Sequence, residues 1–312
     1  VDVLVVIRCA WDSRLDAFLK TAKAKKIRLC YDVDDLIYHP KYMPSVIRAL
    51  GLVQEAEWNF WFGLTQRNFM AAQLCDACIT TNGYLAQFLE ADFQMPCYVI
   101  PNYLNWIQEE VSAYWYGQKC EKEPQKPFEI GYFSGSPTHV KDLMEVMPEL
   151  ESFLNAHEHT VLKIVGCMEL PEAYAYLVQN KKICFVPFQT MEGLQYEQAK
   201  SDLNIVPLVN NEFSNCKSEL KYFESAIVGT VTCATPSYTY AGAITHGENG
   251  YLCRKGEWTA VFEKLYASGV SRKQQQEIRS RALERFSYRN QIHKVEQVLE
   301  AALDQKEKNA FL

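Results

Sequence analysis

The chain has 312 residues, room for two domains at about 150 residues each. Apolar residues make up 48% and aromatic residues 13%, which excludes a disordered or fibrous chain. Lysine and arginine number 32 against 38 aspartates and glutamates, giving a net charge of −6 that argues against nucleic-acid binding through a basic surface.

No apolar run approaches the roughly 18 residues that a membrane span needs, so no transmembrane segment is expected. The eleven cysteines are odd in number, scattered, and mostly set in apolar runs such as RLCYD, KICFV and TVTCA. They read as reduced, buried thiols of a cytoplasmic protein rather than a disulfide scaffold. Cys75 and Cys78 form a lone CxxC with no second pair or histidines, so no metal is expected there. The first residue, Val1, enters directly on the strand pattern VDVLVVI without a basic region or cleavage site. That start is expected to lie inside an incomplete first domain of a larger chain, with other domains as partners.

Along the chain, short β-rich runs alternate with helical stretches, the signature of α/β units with parallel sheets. The first third offers strands at Val3 to Ile7, Ile27 to Asp32, Ala77 to Thr80 and Tyr98 to Ile100. Between them Glu55 to Leu74 is the longest helix, with Trp58, Phe62 and Phe69 expected on its core face. Residues 1–105 are thus read as an N-terminal Rossmann-like domain. The charged, proline-bearing stretch 106–126 is read as a connection. A second α/β series fills 127–283, with strands at Glu129 to Phe133, Val161 to Val165, Ile183 to Val186, Leu203 to Val209 and Val231 to Ala234. A helix is expected over Lys217 to Val228, and a final one near Glu284 to Leu303 carries Ile292, Val295, Leu299 and Ala302 on one stripe.

Three segments carry chemistry. In NEFSNCKSELKYFESAIVGTVTCATPS, Ser214 or Asn215 can cap a helix that Gly229 ends, with Lys217, Lys221 and Glu224 on one face. A phosphate at that helix start would offset the lysine there, and Glu224 could accept hydrogen bonds from a ribose diol. A solvated charged face with Lys221–Glu219 and Lys221–Glu224 pairs is the plainer alternative. In EIGYFSGSPTHVKDL, a strand ends at Ser134-Gly135-Ser136 and a helix starts near His139, with Thr138 as its cap. Gly135 permits close backbone approach of an anion, although an ordinary βα turn would look the same. In KKIRLCYDVDDLIY, Asp32, Asp34 and Asp35 gather at a strand's carboxyl end, where ligand crevices lie in open α/β sheets. Their mutual repulsion can raise a pKa toward general-base use, and surface turn acids are the alternative. Asn102 follows a strand at the expected cleft floor, and Thr80, Thr81 and Asn82 follow another, where capping suffices. No GxSxG or HExxH is present.

The order of these pieces resembles the GT-B glycosyltransferases, and among them the large retaining group called group 1, or family four. The resemblance covers about residues 127 to 285: GYFSGSPTHVKDL, LKIVG, ICFVPF, the segment from SDLNIVPLV to TCATPS, then YAGAITHGENGYL. A weaker counterpart lies in YDVDDL, DACITTNGYLAQFL and VIPN of the first domain. The resemblance implies two Rossmann-like domains facing each other across a cleft, with the C-terminal helix 284–312 crossing back to the first. It implies transfer of a hexosyl or deoxyhexosyl group, with retention, from a nucleoside diphosphate sugar to an acceptor hydroxyl. The acceptor would be a glycan, lipid-linked or protein molecule of a bacterial cell-surface polysaccharide or glycoconjugate pathway, reached in the cytoplasm, at the inner face of the membrane through peripheral association. No metal or other cofactor is required by such a mechanism.

Carried onto this chain, Glu224 matches the glutamate that grips the donor ribose. Lys217, Ser218, Lys221, His139 and Lys141 fall where the diphosphate is met, with Gly135 and Ser136 in the loop beneath it. Asp32, Asp34, Asp35 and Lys217 fall where catalytic groups are expected, and Asn102 at the acceptor side. Two positions depart from the pattern: Cys216 stands eight places before Glu224, where the group has a glutamate, and Ser136 where a basic residue is usual. A catalytically silent GT-B binding module and a metal-dependent GT-A transferase using Asp32 and Asp34 are the alternative readings.

Overall fold

A computed structural model describes residues 1–119, 126–135 and 139–309, with side chains described as far as Asp304. The expectations placed on Ser136 and Thr138 lie outside the described residues. The chain forms two compact units: Val1–Asn102 with Asn211–Ser218 and Arg289–Leu312, and Tyr103–Asn210 with Glu219–Tyr288.

In the first unit the elements are β1 (Val3–Ile7), α1 (Ser13–Ala24), β2 (Arg28–Asp32), α2 (Met43–Leu50), α3 (Glu55–Gln73), β3 (Ala77–Thr80), α4 (Gly83–Phe93) and β4 (Cys97–Val99). The four strands pair in parallel in the order β1-β2-β3-β4. Parallel strands are covered on both faces, which is why β2 and β3 read as RLCYD and ACIT with hardly an exposed side chain. α3 departs from expectation. Trp58 and Phe62 are 41% and 39% exposed, while Thr65, Asn68, Ala71 and Ala72 form its buried face. The small residues let α3 approach its neighbours closely, and the apolar periodicity of its first half belongs to a surface. Phe69 does pack, stacked on Phe93 at 5.2 Å.

The second unit continues with α5 (Trp106–Gln118), β5 (Phe128–Ser134), α6 (Val140–Met144), α7 (Met147–Ala156), β6 (Thr160–Gly166), α8 (Ala175–Gln179), β7 (Ile183–Val186), α9 (Met191–Lys200) and β8 (Leu203–Val206). Then come α10 (Glu212–Asn215), α11 (Leu220–Ala226), β9 (Val231–Ala234), α12 (Tyr238–Ala243), β10 (Tyr251–Leu252), α13 (Trp258–Ser268), α14 (Arg272–Phe286) and α15 (Tyr288–Asn309). Of these, α10 and nearly all of α15 belong to the first unit. The stretch after Tyr103, expected as a connection, folds as α5, whose start Asn105 and Gln108 secure as a reciprocal capping box.

Six parallel strands run β10-β9-β8-β5-β6-β7, so the first strand of the unit is central and later strands add on both sides. This is the doubly wound order, and its direction reverses between β5 and β8. Aromatic pairs fill the two helix layers: Phe153 lies 5.5 Å from Phe262 on one side, and Phe223 stacks on Phe286 at 4.5 Å on the other. The helix expected over Lys217 to Val228 is shorter, and the cap candidates Ser214 and Asn215 belong to a separate helix, α10. α10 is capped by Asn211, whose side chain accepts from the Ser214 amide, and α11 begins only at Leu220. Its end agrees with expectation: Gly229 sits at φ +72 as the chain turns into β9. The C-terminal helix also differs. Ser287 separates α14 from α15, Ile292 is 46% exposed, and Ala302 and Val298 pack with Cys30, Ala77 and Ile79 of the first unit's sheet.

The cysteines divide. Cys30, Cys75, Cys78, Cys216, Cys233 and Cys253 are buried free thiols, whereas Cys9, Cys167 and Cys184 are exposed. Among the described residues no helix is long and apolar enough to cross a membrane.

Gly166 ends β6 at φ +121, and a Cβ there would sit 1.8 Å from the Ser134 carbonyl oxygen of β5. Gly166→Ala is therefore expected to destabilise the second unit by about 2–4 kcal/mol, read as a lowered urea midpoint with unchanged slope.

Candidate functional site

Each unit gathers polar groups at the carboxyl ends of its strands. In the second unit these lie at the reversal between β5 and β8, where open α/β sheets bind ligands. β5 delivers Tyr132 and ends at Ser134-Gly135. Gly135 is exposed, and among the described residues an added Cβ would meet nothing within 4 Å, so none of them demands a glycine there by packing. The Tyr132 hydroxyl donates to the His139 carbonyl at 3.0 Å. His139 Nδ1 lies 3.0 Å from Asp142 Oδ2, while Asp142 Oδ1 accepts from the Val209 amide at 3.0 Å. One carboxylate thus ties the loop after β5 to the loop after β8. Lys141 is exposed on the short α6 beside it.

From the other face, α11 contributes Lys221 and Glu224. Asn204 of β8, fully buried, donates to the Lys221 carbonyl at 3.0 Å and to Thr232 at 3.1 Å, which fixes the first turn of α11 against the sheet. The Lys221 ammonium lies 5.4 Å from the centre of the Tyr132 ring, a cation–π contact between α11 and β5. Burial pushes the Glu224 carboxyl up to about 7, with Lys221 pulling the other way. α11 has seven residues and starts at Leu220, three residues after Lys217.

The first unit holds the other cluster. Arg8, at φ 45 where β1 ends, pairs with Asp34 at 2.9 Å. Burial and then the neighbouring Asp34 raise the Asp32 carboxyl to about 6. Asp35 is raised by the same two causes in the same order, with Lys217 and Arg8 opposing. Lys217 is therefore a neighbour of the first-unit carboxylates, and its ammonium also lies 4.7 Å from the Phe213 ring centre. Two amides hold the 211–218 segment in this unit. Asn82 donates to the Cys216 carbonyl at 2.7 Å while its oxygen caps α4 at the Leu85 amide, and Asn102 donates to Ser218 at 2.8 Å.

The structure accordingly brings Asp32, Asp34, Asp35, Asn102, Lys217 and Ser218 into one unit and Gly135, His139, Lys141, Lys221 and Glu224 into the other. Placing Lys217 and Lys221 on one helix face is corrected by the break at Cys216 to Glu219. Cys216 itself is fully buried in the first unit's core. Sequence reasoning did not find Arg8 or Asp142, which no motif marks, and it gave Asn82 only a capping role.

No protein-family model matches the chain, and no curated protein matches it either. Solved structures do. Sucrose-phosphate synthase from Thermosynechococcus elongatus aligns with a TM-score of 0.65 at 14% identity, over 97% of this chain and 74% of that one. The pneumococcal O-GlcNAc transferase GtfA, in complex with UDP and GlcNAc, gives 0.62 at 15% identity, over 96% of this chain and 57% of that one. Anabaena Alr3699/HepE, in complex with UDP, gives 0.61 at 14% identity, over 95% and 78% respectively. These neighbours are GT-B glycosyltransferases, and this chain has the GT-B fold. That fold overturns the GT-A alternative built on Asp32 and Asp34, and Asp34 is engaged by Arg8 instead.

Because the folded Glu224 holds its proton more tightly than an unfolded glutamate, its contribution to stability is full below about pH 4.5 and is lost as pH rises toward 7. Glu224→Gln is expected to be about 2 kcal/mol more stable than the parent at pH 8 and equal to it at pH 4, measured by denaturant unfolding at both.

Proposed function

We propose that this chain is a retaining glycosyltransferase that moves a sugar from a nucleoside diphosphate sugar to an acceptor hydroxyl. The GT-B fold supports the class. The observation that carries the donor reading is the group at the β5/β8 reversal, where Lys221 of the helix that bears the desolvated Glu224 lies over the Tyr132 ring of β5, the strand that ends beside the exposed Gly135. In this reading the Glu224 carboxylate accepts from the two ribose hydroxyls. Lys221, Lys141 and His139 meet the diphosphate, and Gly135 leaves room for it. As the bond between the anomeric carbon and the phosphate oxygen breaks, negative charge grows on the departing diphosphate, and fixed cations stabilise it without a metal. In the first unit, Asp35 and Asn102 orient the acceptor hydroxyl, while Lys217 and Ser218 complete their surroundings.

Neighbours solved with UDP favour a uridine nucleotide. A hexose or deoxyhexose donor, a glycan, lipid-linked or protein acceptor, and a cytoplasmic role in cell-surface polysaccharide or glycoconjugate synthesis complete the proposal. The chain spans 57% to 78% of the length of the three structures described above, so the activity of a longer protein is part of what is proposed. A second reading, nucleotide binding without transfer, is favoured by Cys216, whose buried thiol cannot reach a ligand.

Calorimetry with UDP is expected to show binding of about micromolar strength that Glu224→Ala removes while the thermal midpoint is kept. Unchanged affinity would refute the ribose role. Asp35→Asn is expected to lower turnover about a hundredfold with UDP affinity intact, and parent turnover should survive EDTA. Binding without any turnover in the parent would select the second reading.

A further inference from the structure

The second unit contains a cavity of about 320 Å³ at the carboxyl ends of β8, β9 and β10. Arg254, Lys255, Asn210, Thr235, Glu145 and Trp258 are among the residues that line it. None of Gly135, His139, Lys141, Lys221 or Glu224 is among them, so the lining shares no residue with the donor groups assigned above. Its volume is that of a site for a small polar molecule.

Charge indicates what the molecule is. Two carboxylates beside the loop after β10 are committed to backbone amides: Glu149 accepts from Gly256 at 2.8 Å and from Thr259 at 3.1 Å, and Glu257 accepts from the Arg254 amide at 2.7 Å. Those bonds satisfy the loop after β10 and the start of α13. Among the described residues, neither the Arg254 guanidinium nor the Lys255 ammonium makes an ion pair, so two adjacent cations border the cavity without a paired protein carboxylate. Thr235 Oγ1 accepts from the Leu208 amide at 2.9 Å, which fixes the hydroxyl at the cavity wall with its proton available to a ligand oxygen. Glu145 adds one exposed carboxylate that can accept from hydroxyls, and buried Trp258 supplies an apolar wall.

We propose that this cavity binds a sugar phosphate, with the phosphate on Arg254 and Lys255 and the sugar hydroxyls on Glu145, Asn210 and Thr235. Two cations suit a dianionic phosphate, and the single carboxylate among neutral polar groups suits a hydroxylated body. The assignment does not depend on the donor reading.

The test is calorimetric titration of the full chain with glucose 6-phosphate, glucose and inorganic phosphate, with and without saturating UDP. Glucose 6-phosphate is expected to bind at least about tenfold more tightly than either glucose or phosphate. The double variant R254A/K255A should lose that binding, and Glu145→Gln should weaken it about fivefold, with thermal midpoints and UDP affinity unchanged. No binding of glucose 6-phosphate, or equal binding of phosphate alone as an adventitious ion only, would overturn the proposal. Displacement of glucose 6-phosphate by UDP would also overturn it, by assigning the cavity to the donor. Failure of UDP to bind while glucose 6-phosphate binds would refute the donor reading alone.

Discussion

Two parallel strands, β5 and β8, lie side by side with Ile130 opposite Leu203, yet their connections leave to opposite sides of the sheet. Everything assigned to the donor depends on that reversal. Loops that diverge from adjacent strand ends open a crevice lined by backbone and short side chains, which neither loop could form alone. Asp142 spans it, holding His139 with one oxygen and the Val209 amide with the other.

The second constraint is the burial of acids. Glu224 and Asp32 are both held above their ordinary ranges chiefly because burial disfavours the carboxylate. A protein selected for stability alone would place glutamine or an apolar residue at either position. Retaining the acid costs stability near neutral pH, and sites that act on ligands commonly carry such a cost. The neighbouring cations moderate it: Lys221 beside Glu224, and Arg8 beside Asp32. In the function proposed above, that balance would leave Glu224 able to engage a ligand hydroxyl without creating an unpaired buried charge.

The segment 211–218 shows how local bonds settle a contest between possible partners. Its sequence lies between β8 and α11 of the second unit, but Phe213 and Cys216 bury in the first unit's core, and Asn82 and Asn102 bind its backbone and Ser218. Two apolar side chains removed from water outweigh the continuity that would have run one helix from Lys217 to Val228. Lys217 consequently keeps company with Asp35 and not with Glu224's helix.

Much of the fold was legible in the sequence because parallel strands buried on both faces are predominantly apolar, as in GYF, LKIV, LNIV and VTCA, where each polar side chain stands singly. Turn chemistry was legible too, since Gly229 answers a backbone requirement that few residues meet. The helix faces were less so: Trp58 and Phe62 look like core by spacing and are exposed, because periodicity reports which side is apolar and not what covers it. Site groups with no motif, Arg8 and Asp142 above all, became visible only when folding brought distant segments within hydrogen-bonding range. The sequence by itself determined the alternation of strands and helices, and with it the class of fold, because burial and backbone geometry act within a few residues. Only the tertiary structure decided which acids meet which cations, because those distances are set by strand order and helix packing, which join residues far apart in the chain.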